Sequence, residues 1–288
     1  MATKSLSKLK SEMVFNQDLT RLVDVMKGIA ASQYSVMDKK RSKFEDLNGS
    51  LEDLFQTYDF RSVKHPFIRP LHPGKLIILV TTDSGFLGGL NMKVAQAAMK
   101  FEDDKTTYFV VGERGGAYVR EYGKECTVYP GINADQTRFD LAQKLTGDIL
   151  KHVLKGNCGS VIIGTPHAIS FSAQRVEVLN LLPCPIFFKN REQAAVASVE
   201  DQQSKVILES PATGLIEYLT AVWLRKRLVE LFESAKLAEL GARTMHLESS
   251  YQTLSKNDKQ LKLQFFKARR EKIDQSLRES FTSQLMCD

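Results

Sequence analysis

The chain has 288 residues, of which 43% are apolar and 26% charged, with a formal charge of +6. That size supports one large or two modest domains with a real core, and the charge falls well short of a polycationic nucleic-acid tail. Four widely separated cysteines (Cys126, Cys158, Cys184, Cys287), with no C-x-x-C pair, and five scattered histidines argue for reduced thiols and no metal site.

The first residues, MATKSLSKLKSEM, carry charges throughout, so no secretory signal is predicted. No apolar run approaches the ~20 residues that cross a bilayer, so no membrane span is expected. Leu6, Leu9, Met13, Leu22, Val25, Met26, Ile29 and Ala30 then recur at helical spacing, and the stripe resumes with Val36, Phe44, Leu47, Leu51, Leu54 and Tyr58. All eight prolines lie between Pro66 and Pro211, and only Gly28, Gly49, Gly214 and Gly241 of the glycines lie outside that interval. Because both residue types disfavour helix interiors, their exclusion predicts long helices at both ends.

Between the ends, Lys75–Thr82, Tyr108–Gly112 and Ser160–Gly164 read as short buried strands, with Val176–Leu182 and Ile186–Phe188 as weaker candidates. Helices are expected at Asn91–Phe101, Gly116–Tyr122 and Thr137–Lys155, which makes the middle an α/β unit with a mostly parallel sheet. Pro66–Gly74 and Asn190–Ser210 read as linkers. From Ala212 to Asp288 no proline occurs, and Leu247, Leu254, Leu261 and Ala268 fall seven apart, as in a coiled-coil seam. A helix of ~75 residues would be ~110 Å long, too long for a domain of this size to bury end to end. The expected division is a helix in 1–60, an α/β domain in 61–211 and a helix in 212–288.

The loop after the first strand, Thr82–Asn91 (TDSGFLGGLN), is rich in glycine but matches neither the P-loop nor the dinucleotide-binding spacing. Its plainer reading is a tight turn or a docking surface. Asp83, Gly85, Gly88, Gly89 and Asn91 are its notable positions, structural or docking in role and not catalytic. Between Lys256 and Lys272, seven basic residues stand against Asp258 and Glu271. Aromatic interleaving is limited to Phe265 and Phe266, so a nucleic-acid partner is not favoured.

These motifs resemble those of a known family. TDSGFLGGLN closely resembles the S/T-D-R-G-L-C-G-G-L-N signature of the gamma subunit of F-type ATP synthases. MKGIAAS at Met26–Ser32 is similar to its N-terminal motif ending in V-A-A-S. KHPF at Lys64–Phe67, LLP at Leu181–Pro183, GAR at Gly241–Arg243 and KAR at Lys267–Arg269 also resemble family elements, in the same order. Departures are Ser84 for the signature arginine, Leu87 for its cysteine, Arg270 for the glutamine after K-A-R, and Ile273-Asp274-Gln275-Ser276 for I-T-Q-E. The pattern resembles a divergent bacterial branch.

The resemblance implies an α/β fold in which the N- and C-terminal helices form a long antiparallel coiled coil around an inserted Rossmann-like α/β domain. It implies a non-catalytic central rotor shaft, with no cofactor, peripheral at the cytoplasmic face of the cell membrane. The implied partners are the alpha and beta subunits of the catalytic head, the epsilon subunit and the membrane c-ring. Met26, Lys27, Arg243, Arg269, Arg270 and Gln275 are the implied head-coupling contacts. From the residues alone, a nucleotide-binding α/β protein or a coiled-coil scaffold remain alternatives.

Overall fold

The computed structural model of the chain describes residues 6–41, 63–132, 135–184 and 211–285. Helix α1 spans Leu6–Arg41, and the sheet begins with β1, Lys75–Val80. There follow α2 (Leu90–Met99), β2 (Thr106–Val111), α3 (Glu113–Glu121), β3 (Cys126–Tyr129) and α4 (Asp135–Leu154). Strands β4 (Ser160–Ala168) and β5 (Gln174–Leu182) precede one unbroken helix, α5, over Ala212–Leu285. The chain divides into two compact units, Gln33–Ala242 on the one hand and Met1–Ser32 with Arg243–Asp288 on the other.

In the larger unit the sheet order is β3-β2-β1-β4-β5. β1 pairs in parallel with β2 and β4, and β2 with β3, while β5 runs antiparallel to β4. After Lys75 the KLIILV strand is apolar because both of its faces are covered. Leu76, Ile78 and Val80 join Phe109, Val111, the α4 residues Leu145 and Ile149, and the α5 residues Ile216, Leu228 and Phe232 in the main core. Ile77 and Leu79 point the other way, to Ala95 and Ala98 of α2 and Val119 of α3. Strand alternation thus feeds two cores from one segment.

β3 is absent from the sequence-based expectation, being a four-residue edge strand with mixed exposure. α3 begins at Glu113, before the expected Gly116, and takes in Gly115, which lies tight against Thr81 and whose N–H donates to the Thr81 Oγ1 at 3.1 Å. The expected strand Ile186–Phe188, the linker 190–210 and the apolar positions Phe44, Leu47, Leu51, Leu54 and Tyr58 lie outside the described residues.

In the smaller unit, the ends of the chain pair as antiparallel helices. Gln17 Nε2 donates to Asp258 Oδ1 at 3.3 Å, Asn16 Nδ2 to the Leu254 carbonyl at 3.0 Å, and Lys27 Nζ lies 3.1 Å from Glu248 Oε2. Going up α1 therefore means going down α5. Inward-facing positions on α1 include Leu9, Met13, Asn16, Thr20, Val23, Lys27 and Ala30, alternately four and three apart. On α5 the matching series is Leu247, Tyr251, Leu254, Asp258, Leu261, Phe265 and Ala268. This heptad spacing is the signature of a coiled-coil seam.

One expectation about α1 is corrected. Leu22, Val25 and Ile29, read from the sequence as part of its apolar stripe, are 56%, 60% and 54% exposed. The partner helix selects the face that fits its own seam, and that face takes in Asn16, Thr20 and Lys27 in preference to the more apolar side.

Candidate functional site

The glycine loop lies at the carboxyl end of β1, where open α/β sheets commonly place ligands. Its backbone reverses through Gly88 (φ 57°) and Gly89 (φ 84°), and Gly89 is the N-cap of α2. Phe86 also has positive φ, 65°, and the residue is 55% exposed. Leu87 and Leu90, by contrast, are buried against Ala242 of α5 and Val176 of β5. The loop is thus seated on the terminal helix, with Phe86 projecting.

Asp83 braces three loops. Its Oδ1 accepts from the Glu113 N–H at 2.9 Å, and its Oδ2 accepts from the Gly131 N–H at 3.1 Å. Glu113 opens α3, whose N-cap Gly112 supplies no side-chain cap. Free N–H groups at a helix start form a natural anion site. Here the anion at the start of α3 is the chain's own Asp83 carboxylate, which acts as an architectural brace. Asn91 is buried and its Nδ2 donates to Thr82 Oγ1 at 3.0 Å, while Thr82 Oγ1 donates to the Ser84 carbonyl at 2.8 Å. Gly85 lies beside Arg114, whose Nη2 is 3.8 Å from where a Cβ would stand.

A Ser–His–Glu grouping occurs elsewhere in this unit, but its geometry is not that of a nucleophile. Ser234 Oγ lies 2.8 Å from His167 Nδ1, and Glu177 Oε2 lies 3.9 Å from the same nitrogen. A relay needs the acid and the hydroxyl on opposite ring nitrogens. Among the described residues no cluster of histidine, cysteine, aspartate and glutamate could hold a metal ion.

The six residues expected as coupling contacts differ in setting. Lys27 is turned into the helix seam, bonded to Asp24 Oδ1 at 2.8 Å and Glu248 Oε2 at 3.1 Å, with its ammonium 4.5 Å from the centre of the Tyr251 ring. The Asp24 and Glu248 bonds hold its pKa above the ordinary lysine value. The Gln252 amide and then Lys27 hold Glu248 below the ordinary carboxylate value. Met26 and Arg243 are half-buried. Arg269, Arg270 and Gln275 are exposed towards the carboxyl end of α5, and Gln275 Nε2 donates to Glu279 Oε1 at 2.9 Å. The structure brings Lys27 into a cross-helix bond with Glu248, and its partners Glu248 and Tyr251 had no sequence signal beyond flanking Leu247.

From Arg269 to Thr282 every residue of α5 is exposed. Phe266, Ile273, Leu277 and Phe281 are 54%, 50%, 53% and 64% exposed and recur at helical spacing along one side. Among the described residues no helix is long and apolar enough to cross a membrane. An apolar, solvent-facing ridge on a helix beside arginines is a docking surface in form.

Comparison with known proteins agrees with this arrangement. The family model described as ATP synthase matches residues 5–282. The ATP synthase gamma chain of Clostridium acetobutylicum is 28% identical over 209 residues, covering 71% of this chain and 70% of that one. The gamma chain of Nitratidesulfovibrio vulgaris is 22% identical over 285 residues, covering 95% of each. A chain in the cryo-EM structure of Euglena gracilis mitochondrial ATP synthase, OSCP/F1/c-ring, rotational state 3, superposes with a TM-score of 0.71 at 14% identity, covering 97% of this chain and 93% of that chain. At that identity the likeness concerns the fold, whereas the family match spans nearly every residue. With its terminal helices paired and its signature loop braced by its own Asp83, the chain belongs to the ATP synthase family as a gamma subunit, the non-catalytic central-stalk component.

Proposed function

We propose that the chain is the shaft that couples transmembrane ion flow to ATP synthesis or hydrolysis at a catalytic head of alternating alpha and beta subunits. Residues 1–60 and 212–288 act as the axle and 61–211 as the foot, which meets an epsilon subunit and the c-ring at the cytoplasmic face of the cell membrane. The observation that carries this reading is the antiparallel pairing of the chain ends, with Asn16, Gln17 and Lys27 meeting Leu254, Asp258 and Glu248. A paired rod resists bending and twisting better than one helix does.

One charge crossing 100 mV yields only ~2.3 kcal/mol, so several must be accumulated for each ATP. A stiff rotating axle accumulates them mechanically, and an axle that touches the head subunits unequally drives each through its states in turn. Arg269, Arg270 and Gln275 face outwards and meet acidic loops of the beta subunits, the planar guanidinium matching a carboxylate. Met26 and Arg243 flank the same contact lower on the axle, and Lys27 stiffens it through Glu248. In the foot, Asp83, Gly85, Gly88, Gly89 and Asn91 shape the loop that presents Phe86.

The test is co-purification with alpha and beta homologues, followed by an ATPase assay. The chain should join them and change their turnover while hydrolysing nothing alone. Hydrolysis by the chain itself, or indifference of the alpha–beta mixture to it, sinks the reading. Removing Lys267–Asp288 should lower ion pumping per ATP more than it lowers assembly.

A further inference from the structure

Beyond the end of its pairing with β1 at Gly164, β4 continues to Ala168 and pairs only with β5, so Thr165–Ala168 and Gln174–Glu177 form a projecting hairpin. The Ile169 and Ser170 N–H groups both donate to the Ala173 carbonyl and close its tip. This tip is packed against two helices. The Phe171 ring meets Tyr34 of α1 edge-on, with centroids 4.9 Å apart and planes at 86°. Tyr34 shares a buried cluster with Ala168 of the hairpin and Leu237, Ala238 and Leu240 of α5. Below the tip, His167 bonds Ser234 of α5 at 2.8 Å.

Gly241 is the seat for this contact. A Cβ there would stand 2.8 Å from the Phe171 carbonyl oxygen, 2.8 Å from Gln174 Nε2 and 3.5 Å from Tyr34 Cε2. The Gln174 amide could swing away, but it donates to the Phe171 carbonyl at 3.0 Å, and that carbonyl is main chain. A glycine in mid-helix weakens the helix, so its presence where main chain approaches this closely marks a fitted contact.

The geometry points to a clamp: the β4–β5 hairpin grips α1 at Tyr34 and α5 at Gly241 together, and fixes the rotation of both helices against the sheet. Resting on the shaft reading, this assigns the hairpin the task of passing torque between the α/β unit and the helices. A helix held on one face can roll about its axis. Two helices tied to one hairpin, with α5 also packed on the sheet through Ile216, Leu228 and Phe232, cannot roll independently.

The test uses Gly241→Ala, with Gly214→Ala as a control because no atom lies within 4 Å of a Cβ there. Hydrogen exchange at Ile169, Ser170 and Ala173 in the full chain should rise by about tenfold or more in Gly241→Ala and stay unchanged in Gly214→Ala. In the assembled complex in vesicles, ions pumped per ATP should fall by at least about twofold in Gly241→Ala while hydrolysis persists. Faster exchange with undiminished pumping per ATP overturns the clamp and leaves the shaft reading standing, and unchanged exchange overturns the seat itself. Failure of the wild-type chain to assemble with the head counts against the shaft reading instead. Should Gly241→Ala not fold, Ser234→Ala removes the His167 bond alone and carries the same two expectations at smaller size.

Discussion

Asp83→Ala tests whether the signature loop is held by its carboxylate or merely by glycine turns. The substitution deletes two acceptor bonds, from Glu113 N–H at 2.9 Å and Gly131 N–H at 3.1 Å. Charged hydrogen bonds contribute about 1.5–3 kcal/mol each, and the solvent-exposed one to Glu113 belongs at the low end. The loss of negative charge at the start of α3 adds about 0.3–1 kcal/mol. A total near 3 kcal/mol, allowing for water that replaces part of the lost bonding, corresponds to a fall in Tm of about 6–12 °C for a chain of this size. Asp83→Asn keeps the shape but offers one acceptor oxygen, and should fall between wild type and Ala. Calorimetry on the full chain reads both. A change under about 2 °C for Asp83→Ala would refute the brace, and if head coupling were lost at the same time Asp83 would be a docking contact.

Gly28→Ala should raise helix stability by up to about 1 kcal/mol, since nothing lies within 4 Å of its Cβ. Gly115→Ala should instead cost stability, because its Cβ would fall 2.3 Å from Thr81 Oγ1; urea midpoints of the two variants must move in opposite directions. Asn16→Leu exchanges a buried amide in the helix seam for an apolar side chain and should raise the melting temperature of the pair, while cysteine cross-links placed across the seam should report more than one register. A melt that shows neither change removes Asn16 as a register pin. Lys27 has a raised pKa, so its contribution is complete below about pH 10.5 and is lost as pH rises through the folded value. Glu248 has a lowered pKa, so its contribution is complete above about pH 4.5 and is lost as pH falls. The Tm gap between wild type and Lys27→Met should therefore be constant between these limits and shrink outside them.

Strands β1, β2 and β4 are legible in the sequence because burial on both faces demands unbroken apolar runs such as LIILV at Leu76–Val80. β3 is not, since Cys126–Tyr129 is four residues long at an edge and needs no such run. The direction of β5 depends on the tight turn before Gln174, which its apolar content does not record. On α5 the seven-residue spacing of Leu247, Leu254, Leu261 and Ala268 marks the seam directly. On α1 apolar residues occupy two faces, and only the partner helix decides that Asn16 faces in and Ile29 faces out. The signature loop is visible as a motif, but the job of Asp83 rests on Glu113 and Gly131, 30 and 48 positions away, which no local pattern encodes.

The bare stretch of α5 from Phe266 to Phe281 has a cost outside the assembled machine. A polypeptide that shows Phe266, Ile273, Leu277 and Phe281 uncovered along one helix is adhesive in water. If the proposed head subunits cover this stretch, a surplus of the chain over them would clump or feed proteases. Balanced output of the whole set is thus a demand written into the last turns of one helix.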